Sequence, residues 1–319
     1  WLKREDLQPT FSFKLRGAYN CIRQLSNKDR AKGVVAASAG NHAQGVALSA
    51  RKLGVQATIF MPRTTPEIKV RAVKALGADI ELAGDDYDHA CEAALAFAEQ
   101  SGGFFIHPFD DLDVIVGQGT MGVEITQQLP EPPDVVFVCV GGGGMAAGMA
   151  ATIKAICPET KVIGVEPELA DDATRSFRTG VLHRVDNPPT IADGTRTPSL
   201  GEHTFPLIRE HVSDMQTVSE EAIMAAVRFF FYRMKIVVEP SGVLGAAALL
   251  SGAVKPEGRV GVMLSGGNID NLTMTRILAA APVVVATFQR HRTMLDWPHD
   301  VIQLADVLAL GSFSVVGGS

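Results

Sequence analysis

Val135-Val136-Phe137-Val138-Cys139-Val140 runs directly into Gly141-Gly142-Gly143-Gly144-Met145. An apolar strand that ends on four glycines and then opens a helix leaves few folds available. Bare glycines let backbone N–H groups approach an anion without Cβ obstruction, and the dipole of the following helix favours negative charge there. Two readings stand. One is a phosphate cradle. The other is a tight strand-to-helix turn, for which one or two glycines would be enough. Gly142-x-Gly144-x-x-Ala147 also fits the dinucleotide fingerprint, and Glu166 ends the next strand 24 residues after Gly142, near the place of a ribose-binding acid. A nicotinamide oxidoreductase is therefore a rival. No G-x-x-x-x-G-K-[ST] occurs, which argues against a P-loop nucleotidase.

The rest of the chain alternates strand-like and helix-like stretches. Strands are expected at 33–38, 55–61, 79–83, 104–107, 134–140, 161–166 and 259–264. Helices are expected at 41–54, 87–100, from about 144, and within 217–235. Another helix is expected to start at Thr65-Pro66, with a capping hydroxyl, Pro at its first position and an apolar stripe of Ile68, Ala72, Val73 and Leu76. Such alternation implies an α/β fold with mostly parallel sheets, whose ligands sit at the carboxyl ends of strands. Asp110-Asp111 and Pro130-Glu131-Pro132-Pro133 are the best boundary candidates. Beyond Asn271 the periodicity becomes irregular.

Composition narrows the classes further. With 46% apolar and 20% charged residues, disorder is excluded. A net charge of −6, without a Lys/Arg cluster, argues against nucleic-acid binding. Cys21, Cys91, Cys139 and Cys157 lie far apart with no C-x-x-C, so neither a zinc site nor a disulfide framework is suggested and a cytoplasmic home is the simplest. Trp1-Leu2-Lys3-Arg4-Glu5-Asp6 is too charged for a signal peptide, and the lack of an initiator Met suggests a fragment. The longest apolar run, Ile277 to Phe288, is too short to span a bilayer.

Two further segments carry possible chemistry. Ser12-Phe13-Lys14-Leu15-Arg16-Gly17-Ala18 reads as a helix start capped by Ser12 or Thr10, with Lys14 in the first turn. A cation there opposes the macrodipole, which lowers its pKa and suits a neutral amine acting as nucleophile or base. Local chemistry alone nevertheless favours an ordinary exposed Lys. Ala37-Ser38-Ala39-Gly40-Asn41-His42 ends a strand and opens a helix. Gly40 permits an unusual backbone angle. Ser38, Asn41 and nearby N–H groups could hold a carboxylate, and an Asx-type helix cap is an equal reading. His42 alone reads as a packed histidine.

Four motifs in order carry a more specific signal: Ser12 to Ala18, Ser38-Ala39-Gly40-Asn41-His42-Ala43-Gln44-Gly45, Gly141 to Met145, and Ser265-Gly266-Gly267-Asn268. The set resembles the pyridoxal-phosphate-dependent threonine and serine dehydratases, of the tryptophan-synthase-β fold type, which also include serine racemase. The likeness runs from Leu2 to about Asp270. It implies two open, twisted, mostly parallel sheets flanked by helices, with the cofactor in the cleft between a large domain (1–25 and 111–319, the tail 271–319 uncertain) and a small one (26–110). It implies that Lys14 forms the Schiff base, Phe13 lies against the cofactor ring and Asn41 bonds the ring hydroxyl. Gly141, Gly142, Gly143, Gly144 and Met145 would hold the phosphate. Ser265 would face the pyridine nitrogen, and Glu239 would lie near the ring. Ser265 leaves that nitrogen less protonated than an Asp would, which suits elimination. Ser38, Gly40 and His42 would bind the substrate carboxylate, with Asp193 and the Phe109-Asp110 segment near the substrate side chain.

The same likeness reinterprets Glu166. Together with the Ala170 carbonyl and Asp172 it matches the divalent-cation site of metal-activated members, for Mg²⁺ or else Mn²⁺ or Ca²⁺. A solvated acidic turn is the other reading. The implied reaction is β-elimination from L-threonine, then L-serine, giving 2-oxobutanoate or pyruvate and ammonia, with 3-hydroxyaspartate as another possible substrate. A homodimer or higher homo-oligomer is implied, with neither membrane nor nucleic acid as partner. A non-catalytic amino-acid-binding protein is a third possibility. Racemases of this kind carry a second Ser where this chain has Ala39, so racemisation is expected to be weak. Relatives have about 40 residues ahead of the Lys14 segment, a span expected to be missing here. Only 49 residues follow Asp270, too few for a regulatory module, so feedback by isoleucine or valine is not expected.

Overall fold

The structure is a computed structural model that describes residues 1–280 and 315–316. The chain builds β1 (Leu2–Arg4), α1 (Lys14–Gln24), α2 (Asn27–Arg30), β2 (Val34–Ala37), α3 (Asn41–Leu53), β3 (Ala57–Met61), α4 (Glu67–Ala75), β4 (Asp79–Leu82), α5 (Tyr87–Ser101) and β5 (Phe104–Phe105). There follow α6 (Leu112–Gln128), β6 (Val135–Cys139), α7 (Gly144–Ile156), β7 (Lys161–Pro167), α8 (Asp172–Thr179), α9 (Thr204–His211), β8 (Asp214–Val218), α10 (Glu220–Phe229), α11 (Leu244–Leu250), β9 (Val260–Leu264), α12 (Asn271–Ala279) and β10 (Val315–Val316).

The strands form two sheets. One has the order β10-β1-β9-β6-β7-β8 and the other β4-β3-β2-β5, and the strand pairs of both are parallel. Helical crossovers cover parallel sheets on both faces, which is why β2 and β6 are buried throughout. Period-two alternation then sorts the side chains. Val34 and Ala36 face α1 and α3, in a core with Ala18, Ile22, Val46 and Ile59, whereas Val35 and Ala37 face Ala94 and Ala98 of α5. The larger core surrounds Val136, Phe137 and Val138 of β6. The order of the larger sheet reverses at β6, with β7 and β8 to one side and β9 and β1 to the other. Ligands of open α/β sheets bind outside the carboxyl ends of strands at such a reversal, and the tetraglycine segment lies there.

Several local expectations change. Neither Ser12 nor Thr10 caps α1. Its N-cap is Phe13, without a side-chain cap, because Ser12 instead forms an antiparallel bridge with Gly266. Helix α4 starts one residue late, with Pro66 as N-cap. It buries Val73 beside Val70 and Leu76, leaving Ile68 exposed. The helix expected within 217–235 is α10, followed by a π-helical turn over Phe230–Met234 that stops at Lys235 in the left-handed region. Among the described residues, no helix is long and apolar enough to cross a membrane. The apolar run from Ile277 lies outside the described residues after Ala280, and β10 is a tail strand the periodicity does not reveal.

Candidate active site

Helix α1 brings Lys14 to the cleft because glycines let it pack closely on its neighbours. A Cβ at Gly45 of α3 would stand 2.9 Å from the Lys14 carbonyl carbon and 3.0 Å from its oxygen. A Cβ at Gly117 of α6 would stand 2.6 Å from the Gly17 Cα. The base of α1 is tied down by charge. Arg16 donates to both Glu5 oxygens at 2.7 and 2.8 Å and to both Glu124 oxygens at 2.6 and 2.7 Å, and Lys3 also reaches Glu124.

The Lys14 amine donates to the Pro108 carbonyl at 2.7 Å and lies 5.3 Å from the centre of the Phe13 ring. Its pKa is pulled down to about 8 by burial, against the attraction of Glu239. The expected direction holds, but enclosure rather than the helix dipole is the cause, and the exposed-Lys reading fails.

Around this amine the structure gathers most of the residues expected to act. The segment 265–267 is stitched to the Lys14 approach. The Phe13 N–H donates to the Ser265 carbonyl at 3.1 Å, and the Gly267 N–H donates to the Phe11 carbonyl at 2.9 Å. The Glu239 N–H donates to the Gly266 carbonyl at 3.1 Å, bringing its buried carboxyl beside Asn41, whose Nδ2 donates to Oε1 at 2.7 Å. Burial, reinforced by Asp193, pushes the Glu239 carboxyl up to about 8. Asn268, which the motif reading left without a role, donates its Nδ2 to the Asn41 Oδ1 at 2.7 Å and to the Thr10 carbonyl at 2.8 Å. It orients the Asn41 amide, and only its place in Ser265-Gly266-Gly267-Asn268 hinted at this.

At the start of α3, the Ser38 Oγ accepts from the Gly40 N–H at 3.1 Å. Gly40 has φ −131°, outside the left-handed region, and a Cβ there would meet nothing within 4 Å. Open space beside the helix end, rather than backbone strain, distinguishes this position. Burial first, then Lys14, pushes His42 down to about 3, and its Nε2 pairs with the Ile106 carbonyl at 2.9 Å. The ring is thus neutral and engaged, and His42 offers the cleft its backbone N–H.

The tetraglycine loop has the property that separates a cradle from a turn. Among the described residues, the N–H groups of Gly141 to Ala146 meet no protein acceptor, although Gly142 to Ala146 are buried. Buried N–H groups are rarely left orphaned, so a run of them at the head of α7 fits an anionic ligand. Gly143 has φ +91°, which glycine adopts at no steric cost. A Cβ at Gly142 would point into the Phe109 ring at 2.5 Å, and Phe109 directly follows Pro108, whose carbonyl holds Lys14. Asp193 opens a short 3-10 turn whose Thr195 Cα lies 3.0 Å from a Cβ built on Gly141.

Glu166 does not serve the dinucleotide reading. It is buried at the end of β7, where Oε1 accepts the Thr174 N–H of α8 at 2.7 Å. Burial pushes its carboxyl up to about 8, with Asp172 adding to the shift, and burial pushes Asp172 up to about 7. Ala170 is buried between them, and the Asp172 Oδ2 is buried without a partner among the described residues.

Residues 1–266 match the family described as pyridoxal-phosphate dependent enzyme. L-threonine ammonia-lyase of Thermotoga maritima is 44% identical over 315 residues, which cover 97% of this chain and 77% of that protein. L-threo-3-hydroxyaspartate ammonia-lyase of a Pseudomonas species is 45% identical over 271 residues, 85% of each chain. The solved structure of the processed form of threonine deaminase isoform 2 from Solanum lycopersicum superposes with a TM-score of 0.84 at 42% identity, covering 88% of this chain and 83% of that one.

Proposed function

The chain belongs to the pyridoxal-phosphate-dependent enzyme family, and from that premise we propose that it is an ammonia-lyase converting L-threonine to 2-oxobutanoate and ammonia. The observation that carries the reading is the row of buried N–H groups from Gly142 to Ala146 that meet no acceptor among the described residues, together with an enclosed Lys14 amine whose pKa burial lowers to about 8. In this reading residues 26–110 form the smaller unit, and 1–25 with 111 onward the larger.

The residues fit the cofactor. Lys14 would be the amine for its aldehyde, Gly141 to Met145 would hold its phosphate, Phe13 and Glu239 would lie beside its ring, and Asn41 and Ser265 would bond its ring hydroxyl and ring nitrogen. Bound there, pyridoxal phosphate supplies an electron sink for the pair left when the Cα proton departs. The protein does the rest. Ser38, Gly40 and the first N–H groups of α3 hold the substrate carboxylate at the positive end of the helix dipole. The Lys14 Nζ, neutral near pH 8, takes the Cα proton. Ser265 would offer the ring nitrogen a neutral hydroxyl rather than a carboxylate, a partner that suits elimination over transamination. Ala39 offers no proton to the opposite face, so racemisation is weak. Overall, threonine loses ammonia and its remaining atoms form 2-oxobutanoate; the water expelled in elimination is returned in hydrolysis.

Phe109 gives the side-chain pocket an apolar wall, which suits the threonine methyl group better than a second carboxylate. L-Serine and 3-hydroxyaspartate rank below threonine on that ground. The paired carboxylates of Glu166 and Asp172, with the Ala170 carbonyl, are proposed as a hard-cation site for Mg²⁺ or a similar ion, on the strength of the partnerless Asp172 Oδ2. Four free cysteines suit a reducing cytoplasm.

The test is direct. The purified protein should be yellow, borohydride should discharge the colour, and Lys14→Ala should lose both colour and ammonia release. Turnover retained in Lys14→Ala removes Lys14 from the reaction. Comparing kcat/KM for L-threonine, L-serine and L-threo-3-hydroxyaspartate settles the substrate order.

A further inference from the structure

Asp110 lies next to Phe109 in sequence, yet its carboxylate serves another part of the chain. Oδ2 accepts the Glu202 N–H at 2.9 Å, and Oδ1 accepts the His203 and Thr204 N–H groups at 2.9 and 3.2 Å. These groups open α9, whose own N-cap residue, His203, provides no side-chain cap. Asp110 is thus a helix cap supplied from about 90 residues away. The backbone of Asp110 is held in turn, its N–H donating to the His107 Nδ1 at 2.7 Å.

What this cap holds in place is Thr204. The buried Thr204 hydroxyl donates to the Gly142 carbonyl at 2.7 Å and accepts the Gly201 N–H at 2.8 Å. Helix α9 sits hard against the glycine loop. A Cβ at Gly143 would come within 2.7 Å of Ile208, 2.8 Å of Leu200 and 3.0 Å of Thr204. A glycine peptide is free to flip. In a planar trans peptide, however, C=O and N–H point opposite ways. Fixing the Gly142 oxygen on the α9 side therefore turns the Gly143 N–H away from α9.

We propose that Asp110 and Thr204 are positioning residues for the cofactor phosphate, Asp110 capping α9 so that the Thr204 hydroxyl locks the Gly142–Gly143 peptide with its N–H facing the anion. The proposal rests on the assignment of the tetraglycine loop to the phosphate. Without the lock, the loop must be ordered by the ligand, and phosphate affinity falls while contacts to the ring are untouched.

The experiment removes the cofactor and titrates the protein with pyridoxal 5′-phosphate and, separately, with pyridoxal, which lacks the phosphate. Wild type should prefer the phosphate form strongly. Asp110→Asn and Thr204→Val should each weaken binding of the phosphate form by about tenfold and leave pyridoxal binding within about twofold. Thr204→Ser, which keeps the hydroxyl, should bind as wild type. Should Asp110→Asn fail to fold, the Thr204 pair still decides. Equal losses for both ligands would mean general loosening of the site and would overturn the proposal, as would undiminished affinity for the phosphate form. A wild-type protein that does not distinguish the two ligands overturns the phosphate assignment itself, and is told apart from failure of the lock by being seen before any substitution is made.

Discussion

Gly45→Ala sets two effects of opposite sign against each other. Gly45 lies inside α3, and alanine in a helix interior is favoured over glycine by about 1 kcal/mol. Its new Cβ would stand 2.9 Å from the Lys14 carbonyl carbon, 3.0 Å from the Leu15 nitrogen and 3.0 Å from the Lys14 oxygen. All three are backbone atoms, so no side chain can rotate away. Relief needs α1 and α3 to separate by about half an ångström, and overpacking of this kind costs about 1–3 kcal/mol. The net change is a loss of about 0–2 kcal/mol, a drop of only a few degrees in Tm. Activity should suffer more. Misplacing a reacting group by about 1 Å can cost a hundredfold, so half that shift at Lys14 should lower kcat about tenfold. Differential scanning fluorimetry and a coupled ammonia assay read the two quantities. A variant with raised Tm and unchanged kcat would refute the reasoning, since helix propensity would then have prevailed and the contact at Lys14 would have yielded freely.

Other outcomes follow from the same geometry. Arg16→Met leaves buried Glu5, among the described residues, with only Lys3 at 3.9 Å, and should cost about 3–5 kcal/mol in urea denaturation; a loss below 1 kcal/mol would show the network to be dispensable. Burial works against ionisation of Glu124, but hydrogen bonds from Arg16 and Lys3 outweigh it and hold its pKa at about 2. Because that folded-state value is depressed, the stability it contributes is present above pH 4.5 and is lost as pH falls toward 2; Arg16→Met should flatten that part of the pH profile. The rate at which cofactor-free protein takes up pyridoxal phosphate should rise about tenfold per pH unit up to pH 8 and then level off, since only the neutral Lys14 amine reacts; a rate that keeps climbing about tenfold per unit well above pH 8 would contradict the enclosed amine. Millimolar Mg²⁺ should raise the Tm of wild type but not of Asp172→Ala, and a wild-type Tm indifferent to chelator would remove the cation site.

Local patterning made the fold legible. Apolar runs such as 135–140 and 55–61 are short, and helix-period stretches separate them, which is the signature of parallel strands buried on both faces. The short motifs also pointed to the site, because the glycine run and the Asn-His segment sit at strand ends, where backbone is exposed to ligand, and the Ser-Phe-Lys segment opens a helix. What escaped the sequence was set by long-range pairing. Ser12 looks like a cap until Gly266 is seen to bridge it. Ile68 fits the apolar stripe of α4 by spacing, yet faces away from the sheet. The cause of the depressed Lys14 pKa is burial in an enclosure that Pro108, 94 positions distant, helps to close, and Glu239 only opposes it. Asp110 bonds to N–H groups of residues 202–204, and no local periodicity reports a cap brought from another element.

The close contact between Gly45 and Lys14 has a consequence for how recognition and chemistry are joined. In the proposed function one helix of the pair presents its amino end to the incoming carboxylate, and the other carries the amine. Backbone touches backbone where they cross, so the span from anchor to base is a property of two helices and not of the cleft's width at any moment. In the proposed function, an amino acid gripped by its acid group is thereby measured against a built-in ruler that sets where its α-hydrogen meets the nitrogen.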